Sequence, residues 1–196
     1  VLGRRPARRE IQPVLHRKVT PRADTTLILK AAAFAARKHS DQRRKDAQAS
    51  PYINHPLELA RELAEVGGVT DAATLCAALL HDTLEDTATT PAELVHEFGA
   101  EIAALVAEVT DDKSLPKAER KRQQVVHAAS ISDKAKRVKL ADKISNLADV
   151  AQTPPPDWSL ERRREYFDWA RSVIDQLRGV DPVLEAAFDR AYGARP

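Results

Sequence analysis

The chain has one cysteine in its 196 residues, which excludes a disulfide framework of the secreted kind. Cys76 lies inside an apolar run, where it reads as a small core residue and fits a reducing cytoplasm. No apolar run approaches the length needed to span a membrane, and the first ten residues are Arg-rich without an apolar stretch, so no secretory signal is expected. Sustained alternation, β-branched runs, repeats and low-complexity tracts are all missing, which argues against strands and solenoids. An overall excess of either charge is also lacking: the net charge is +2. Seven basic residues against two acidic ones give residues 1–24 a charge of +5, so the other 172 residues carry about −3. The basic excess belongs to an N-terminal arm, expected to be flexible, and a nucleic-acid-binding body is not expected.

The remaining composition, 43% hydrophobic and 31% charged, suits one globular domain over 25–196. The pattern from Thr25 onward is helical. A first helix, with Thr25 or Thr26 as its cap, runs to His39-Ser40, where a polar loop with Arg43, Arg44 and Lys45 begins. Pro56 starts a second helix that Gly67-Gly68 ends, and Asp71 caps a third ending in His81-Asp82. Pro91 to Phe98, Ala100 to Val109 and a charged helix after Pro116 follow. Ser132 to Val150 reads as a long amphipathic helix, and Thr153-Pro154-Pro155-Pro156 as a stiff break. Leu160 to Leu177 and Pro182 to Tyr192 close the chain, separated by Gly179. The expected fold is an all-α bundle of about eight or more short helices.

Chemistry concentrates in three segments. The apolar run Leu75-Cys76-Ala77-Ala78-Leu79-Leu80 ends abruptly in His81-Asp82-Thr83-Leu84-Glu85-Asp86-Thr87. Charge at the edge of a core costs several kcal/mol unless a partner neutralises it. On a continuous helix His81 would share a face with Glu85, and Asp82 with Asp86. Ile53-Asn54-His55-Pro56 can aim an imidazole inward from a loop. Asp142 falls within an apolar stripe and needs a cation, either Lys139, Lys143 or a metal. His55, His81, Asp82 and Asp142 are thus candidate metal ligands, a mixed nitrogen and oxygen set suited to Mn, Fe or Zn. A divalent ion there would acidify water for attack on phosphorus. Read alone, Arg43-Arg44-Lys45 is a solvated loop. His16, His39, His96 and His127 are given no metal role. Trp158, Phe167 and Trp169 are assigned to core or rim.

These three motifs, with Gln42-Arg43-Arg44-Lys45-Asp46, Thr110-Asp111-Asp112-Lys113 and Glu165-Tyr166-Phe167, resemble the hydrolase domain of the RelA/SpoT proteins. Within that group the likeness is to the small stand-alone alarmone hydrolases of the Mesh1 type, over about residues 25–178. The resemblance implies an HD-domain helical bundle and removal of the 3′-pyrophosphate from guanosine tetra- and pentaphosphate, with Mn²⁺ as the usual metal. It implies His55, His81, Asp82 and Asp142 as ligands, and Glu85 and Asp86 as the acidic pair that orients water. Arg44 corresponds to a residue packing on the base and Lys45 to one facing phosphate. Asn146 corresponds to a nucleotide contact, and Lys117, Arg162 and Tyr166 to further substrate-side positions. Ser145 is small where the family often carries a bulky residue, which would widen one edge of the pocket. The expected partner is the nucleotide; a membrane is not, and self-association is left open. Too few residues follow for a synthetase half, so degradation without synthesis is expected. NADPH or adenosine alarmones as substrates, or a sensor without turnover, are the competing readings.

Overall fold

A computed structural model describes residues 21–196. The basic arm lies outside the described residues, apart from its last four, which already belong to the first helix. The described residues form ten helices: α1 (Pro21–Lys38), α2 (Asn54–Glu65), α3 (Ala72–Leu80), α4 (Thr83–Asp86), α5 (Pro91–Phe98), α6 (Ala100–Val109), α7 (Lys117–Ala128), α8 (Asp133–Gln152), α9 (Leu160–Ile174) and α10 (Pro182–Tyr192). Among the described residues the only β pairing is an isolated bridge between Arg43 and Pro51, which ties the base of the basic loop. The fold is all-α, as the sequence predicts.

Local chemistry sets most helix ends. Asp71, Thr90, Ser132, Ser159 and Asp181 each accept a hydrogen bond from a first-turn backbone N–H of α3, α5, α8, α9 and α10. Gly99, at φ +84°, separates α5 from α6 in a conformation that costs a side-chain-bearing residue energy. The last helices shift by two or three residues, α8 running on to Gln152 and α9 stopping at Ile174, and three further ends differ in ways that shape the site. The first helix is already present at Pro21, so Thr25 and Thr26 lie inside it and do not cap it. α2 starts at Asn54, because proline is tolerated throughout a first turn whose N–H groups have no intrahelical acceptor. His55 therefore projects from the first turn of α2, not from a loop. The third helix stops at Leu80 and the chain restarts as α4, whose first turn is closed by the Asp86 N–H donating to the Asp82 carbonyl at 2.8 Å, so Asp82 and Asp86 are one turn apart across a break in the helix.

α3 is the buried centre of the bundle. Every residue from Thr74 to Leu80 is buried, which satisfies an all-round apolar sequence that water would penalise. Each fully buried Leu contributes about 1.5–3 kcal/mol relative to exposure. α1, α2, α6 and α8 pack around α3, while α8 also carries α9 and α10 on its outer side. The α8 stripe Val138, Leu140, Ala141, Ile144, Leu147 and Val150 is buried as its periodicity predicts. Cys76 is fully buried, and burial pushes its thiol up to about 12, consistent with an inert core residue. α7 stands apart: only Ala128 is buried, and it packs mainly on α9.

Candidate metal centre and nucleotide cavity

The end of α3 builds the centre of the site. A helix leaves its last carbonyls unsatisfied, and here side chains take two of them. His81 Nδ1 donates to Ala78 O at 2.8 Å, and Thr83 Oγ1 donates to Leu80 O at 2.7 Å. These bonds stop the helical ladder, turn the chain, and leave His81 Nε2 facing outward from the core edge. His55 arrives from α2, its ring 5.2 Å from that of His81. Ser145 Oγ lies 3.2 Å from His55 Nδ1, so Nε2 of this ring also faces the site. His55 Nε2 is 3.3 Å from Asp142 Oδ1, and His81 Nε2 is 2.8 Å from Asp82 Oδ2 and 4.0 Å from Asp142 Oδ1. Ligand atoms of His55, His81 and Asp82 lie within 4.8 Å of one another. The four residues proposed from sequence are brought together.

Their charges are strongly coupled. Burial disfavours the charged form of His81, yet Asp82 and Asp142 outweigh it and raise the imidazole to about 9. Burial opposes ionisation of Asp82, but His81 and His55 hold it well below the usual carboxylate range. Asp142 is likewise held low against burial, chiefly by Lys143. Lys143 Nζ donates to Asp142 Oδ2 at 2.9 Å, and Asn146 Nδ2 donates to Asp142 Oδ1 at 2.6 Å. Tyr52 donates its hydroxyl to Asp82, and burial together with that carboxylate pushes the phenol far up. Two imidazoles, each with Nδ1 held and Nε2 turned toward the carboxylates, are together with Asp82 and Asp142 a donor set that fits a divalent metal once the His81 proton is released.

The two acids after the HD pair diverge. Glu85 turns to the metal side, accepting from Asp111 N at 3.3 Å and lying 3.5 Å from the Arg120 guanidinium. Burial, then the charges of Asp111 and Asp82, raise its carboxyl. Asp86 pairs with Lys113, and its main-chain carbonyl accepts from Gln42 Nε2 at 2.5 Å.

Two adjoining cavities open onto the cluster. One, of about 550 Å³, reaches Asp82, Glu85 and Asp142 and is walled by Lys117, Lys121, Lys143 and Arg162. The other, of about 640 Å³, is bounded by the basic loop, Tyr52, Asp86 and the Asp149–Thr153 end of α8. Arg44, Lys45, Asn146 and Tyr166 line both. Every substrate-side residue proposed from sequence thus faces one of the two. Arg44 sits over the Tyr52 ring and pairs with Asp149.

Lys121, Tyr52, Trp158, Trp169 and the contact of Ser145 with His55 escaped the sequence reading. Trp158 and Trp169, assigned to core or rim, line the smaller cavity and flank Tyr166 at 5.5 and 5.3 Å. Lys121 and Lys143 each lie 4.6 Å from the Trp169 ring, and Arg162 lies 4.5 Å from Trp158. Spacing of these aromatics around Tyr166 on α9 was the available signal. Tyr52 and Ser145 gave none, since each acts on a residue distant in sequence. His39 is buried under Tyr52, while His96 and His127 are exposed away from the cluster. His16 lies outside the described residues.

Comparison with known proteins agrees with this geometry. A family model described as HD domain matches residues 31–168. The chain is 55% identical over 170 residues to a Xenopus tropicalis protein named guanosine-3′,5′-bis(diphosphate) 3′-pyrophosphohydrolase MESH1, covering 87% of this chain and 95% of that one. The human protein of the same name is 51% identical over 173 residues, covering 88% of this chain and 97% of its own. A solved structure described as a metazoan orthologue of SpoT that hydrolyses ppGpp and plays a role in starvation responses superposes with a TM-score of 0.84 at 45% identity, covering 86% of this chain and 95% of that one.

Proposed function

The chain belongs to the HD-domain family, and from that premise we propose that it is a guanosine-3′,5′-bis(diphosphate) 3′-pyrophosphohydrolase, yielding GDP or GTP and pyrophosphate. One observation carries the reading. Three of the four proposed ligands, His55, Asp82 and Asp142, line a cavity that also carries Lys117, Lys121 and Arg162, matching a nucleotide with two polyphosphate arms. His55, His81, Asp82 and Asp142 would hold the ion, and the resemblance favours Mn²⁺. When bound, the ion supplies positive charge toward phosphoryl oxygen and acidifies water.

The chain's own residues do the rest. Lys117, Lys121 and Arg162 bind the phosphates and compensate their charge. Arg44, stacked near Tyr52 and anchored by Asp149, offers a guanidinium face to the base, and Lys45 at the rim faces phosphate. Asn146 and Tyr166 sit where the two cavities meet and fix the ribose between them. Glu85 is the proton acceptor for the attacking water, its raised carboxyl matched to that task. Asp86, held by Lys113, orients the nucleoside side. Water oxygen bonds to the phosphorus on the ribose 3′ oxygen as its proton passes to Glu85, that P–O bond breaks, and the ribose oxygen leaves as a 3′-hydroxyl by taking a proton from solvent.

The single thiol Cys76 is consistent with work in the cytoplasm. Among the described residues no helix is long and apolar enough to cross a membrane. The test is purified protein with Mn²⁺ and a panel of 3′- and 2′-phosphorylated nucleotides, products resolved by ion exchange. Pyrophosphate and GDP from guanosine tetraphosphate are expected. Binding of that nucleotide without turnover would replace the enzyme with a sensor.

A further inference from the structure

A small chamber of about 50 Å³ adjoins the metal centre and shares Asp82, Glu85, Asp111, Gln124 and Asp142 with the smaller nucleotide cavity. His81, Asp82, Glu85 and Asp142 form its inner wall. Asp111, Gln124 and Lys139 form its outer wall, and the same three residues line a groove of about 440 Å³ between α6, α7 and the intervening loop. The outer wall is polar and incompletely satisfied. Gln124 donates through Nε2 to the Asp111 carboxylate but leaves Oε1 buried and unpartnered, and Arg120 Nε beside it is also buried and unpartnered. Lys139 Nζ donates to Val109 O at 2.9 Å and stands 3.9 Å from Asp111.

Water matches this space better than any other occupant. A water needs on the order of 10–15 Å³ of such volume and two to four polar partners, so the chamber takes roughly three or four. Phosphate is excluded by size and by the carboxylates of Asp82, Glu85, Asp111 and Asp142. Displacement at phosphorus is in line, so the entering oxygen stands opposite the leaving one. A nucleotide filling the two front cavities closes the front approach. The chamber's other neighbour is the groove, with which it shares Asp111, Gln124 and Lys139.

We propose that the chamber is a water reservoir, refilled from the groove past Gln124, that delivers the attacking water while the nucleotide closes the front. The proposal rests on the hydrolase reading above. The groove, the chamber and the two unpartnered atoms are successive points on one polar route.

Crystals of the full chain with Mn²⁺ and a non-hydrolysable nucleotide should show ordered waters in the chamber, one of them hydrogen-bonded to Gln124 Oε1. Gln124→Leu keeps the bulk and removes the polar port; kcat should fall about tenfold with Mn²⁺ affinity unchanged, the effect of losing one or two hydrogen bonds to the water chain. Because Gln124 also holds Asp111, Val138→Ile serves as a second variant, filling the chamber from an apolar wall without touching that bond. The same fall in kcat is expected. A dry chamber in the nucleotide complex, or unchanged kcat in both variants, overturns the proposal. Water positions are read in the crystal whether or not the nucleotide turns over, so a wild-type protein without activity would overturn the hydrolase reading separately.

Discussion

Raising the pH of the metal-free protein should weaken its fold while strengthening its hold on metal. His81 is raised from an ordinary 6.5 to about 9 by Asp82 and Asp142, against the opposing effect of burial. Because the folded value is the higher one, the stability drawn from the protonated imidazole is fully present below pH 6.5 and is lost as pH rises through about 9. A metal needs the same nitrogen without its proton. Near pH 7 a proton held about two pH units too tightly weakens apparent metal affinity roughly 100-fold, on the order of 3 kcal/mol. Affinity should therefore tighten about tenfold per pH unit up to about pH 9, with close to one proton released per ion bound near neutrality. Calorimetric titration with Mn²⁺ in buffers of different ionisation enthalpy measures both quantities, and thermal melts of the metal-free protein give the stability arm. An affinity flat between pH 7 and 9 with no proton released would refute the electrostatic reading of the His81–Asp82–Asp142 cluster.

Glu85→Gln should retain metal and nucleotide while turnover falls about 10²–10⁴-fold, checked by calorimetry and pyrophosphate release on one sample; unchanged turnover removes Glu85 from proton transfer. Ser145→Ala should weaken Mn²⁺ binding by about tenfold or more, since His55 loses the group that fixes its ring. Ser145→Thr should restore it, and equal affinities in the three proteins would dismiss Ser145 as a positioning residue. Arg44→Ala should raise KM far more than it lowers kcat, because its contacts with Tyr52 and Asp149 place it for ground-state binding; a loss confined to kcat would contradict that role.

Sequence alone determined what depends on neighbours along the chain. The apolar run Leu75–Leu80 requires burial, Asp71 and Ser132 cap helices through bonds spanning three residues, and Gly99 and the proline run near Pro155 interrupt helices by backbone geometry. The stripe from Val138 to Val150 set the inward face of α8 and put Asp142 on the core side, where a carboxylate needs a cation. Three such segments, each with groups that cannot be buried unaccompanied, were enough to name the four candidate ligands.

Tertiary structure decided which atoms those groups present. His55 Nε2 is available because Ser145, 90 positions away, holds Nδ1, and Asp82 is pinned by a tyrosine 30 positions earlier. The break after Leu80 followed from competition between side chains and the helical ladder for the Ala78 and Leu80 carbonyls, which helical periodicity cannot express. Glu85 and Asp86, neighbours on α4, point apart as consecutive helical residues do, one lining the cavity that reaches the metal cluster and the other the nucleoside cavity. Trp158 and Trp169 became walls of a binding cavity only because α7, packed on α9, closes the space they line with Lys117 and Lys121. Hydrogen bonds between distant segments and the spaces between helices depend on how whole helices pack, and no local pattern of residues records that.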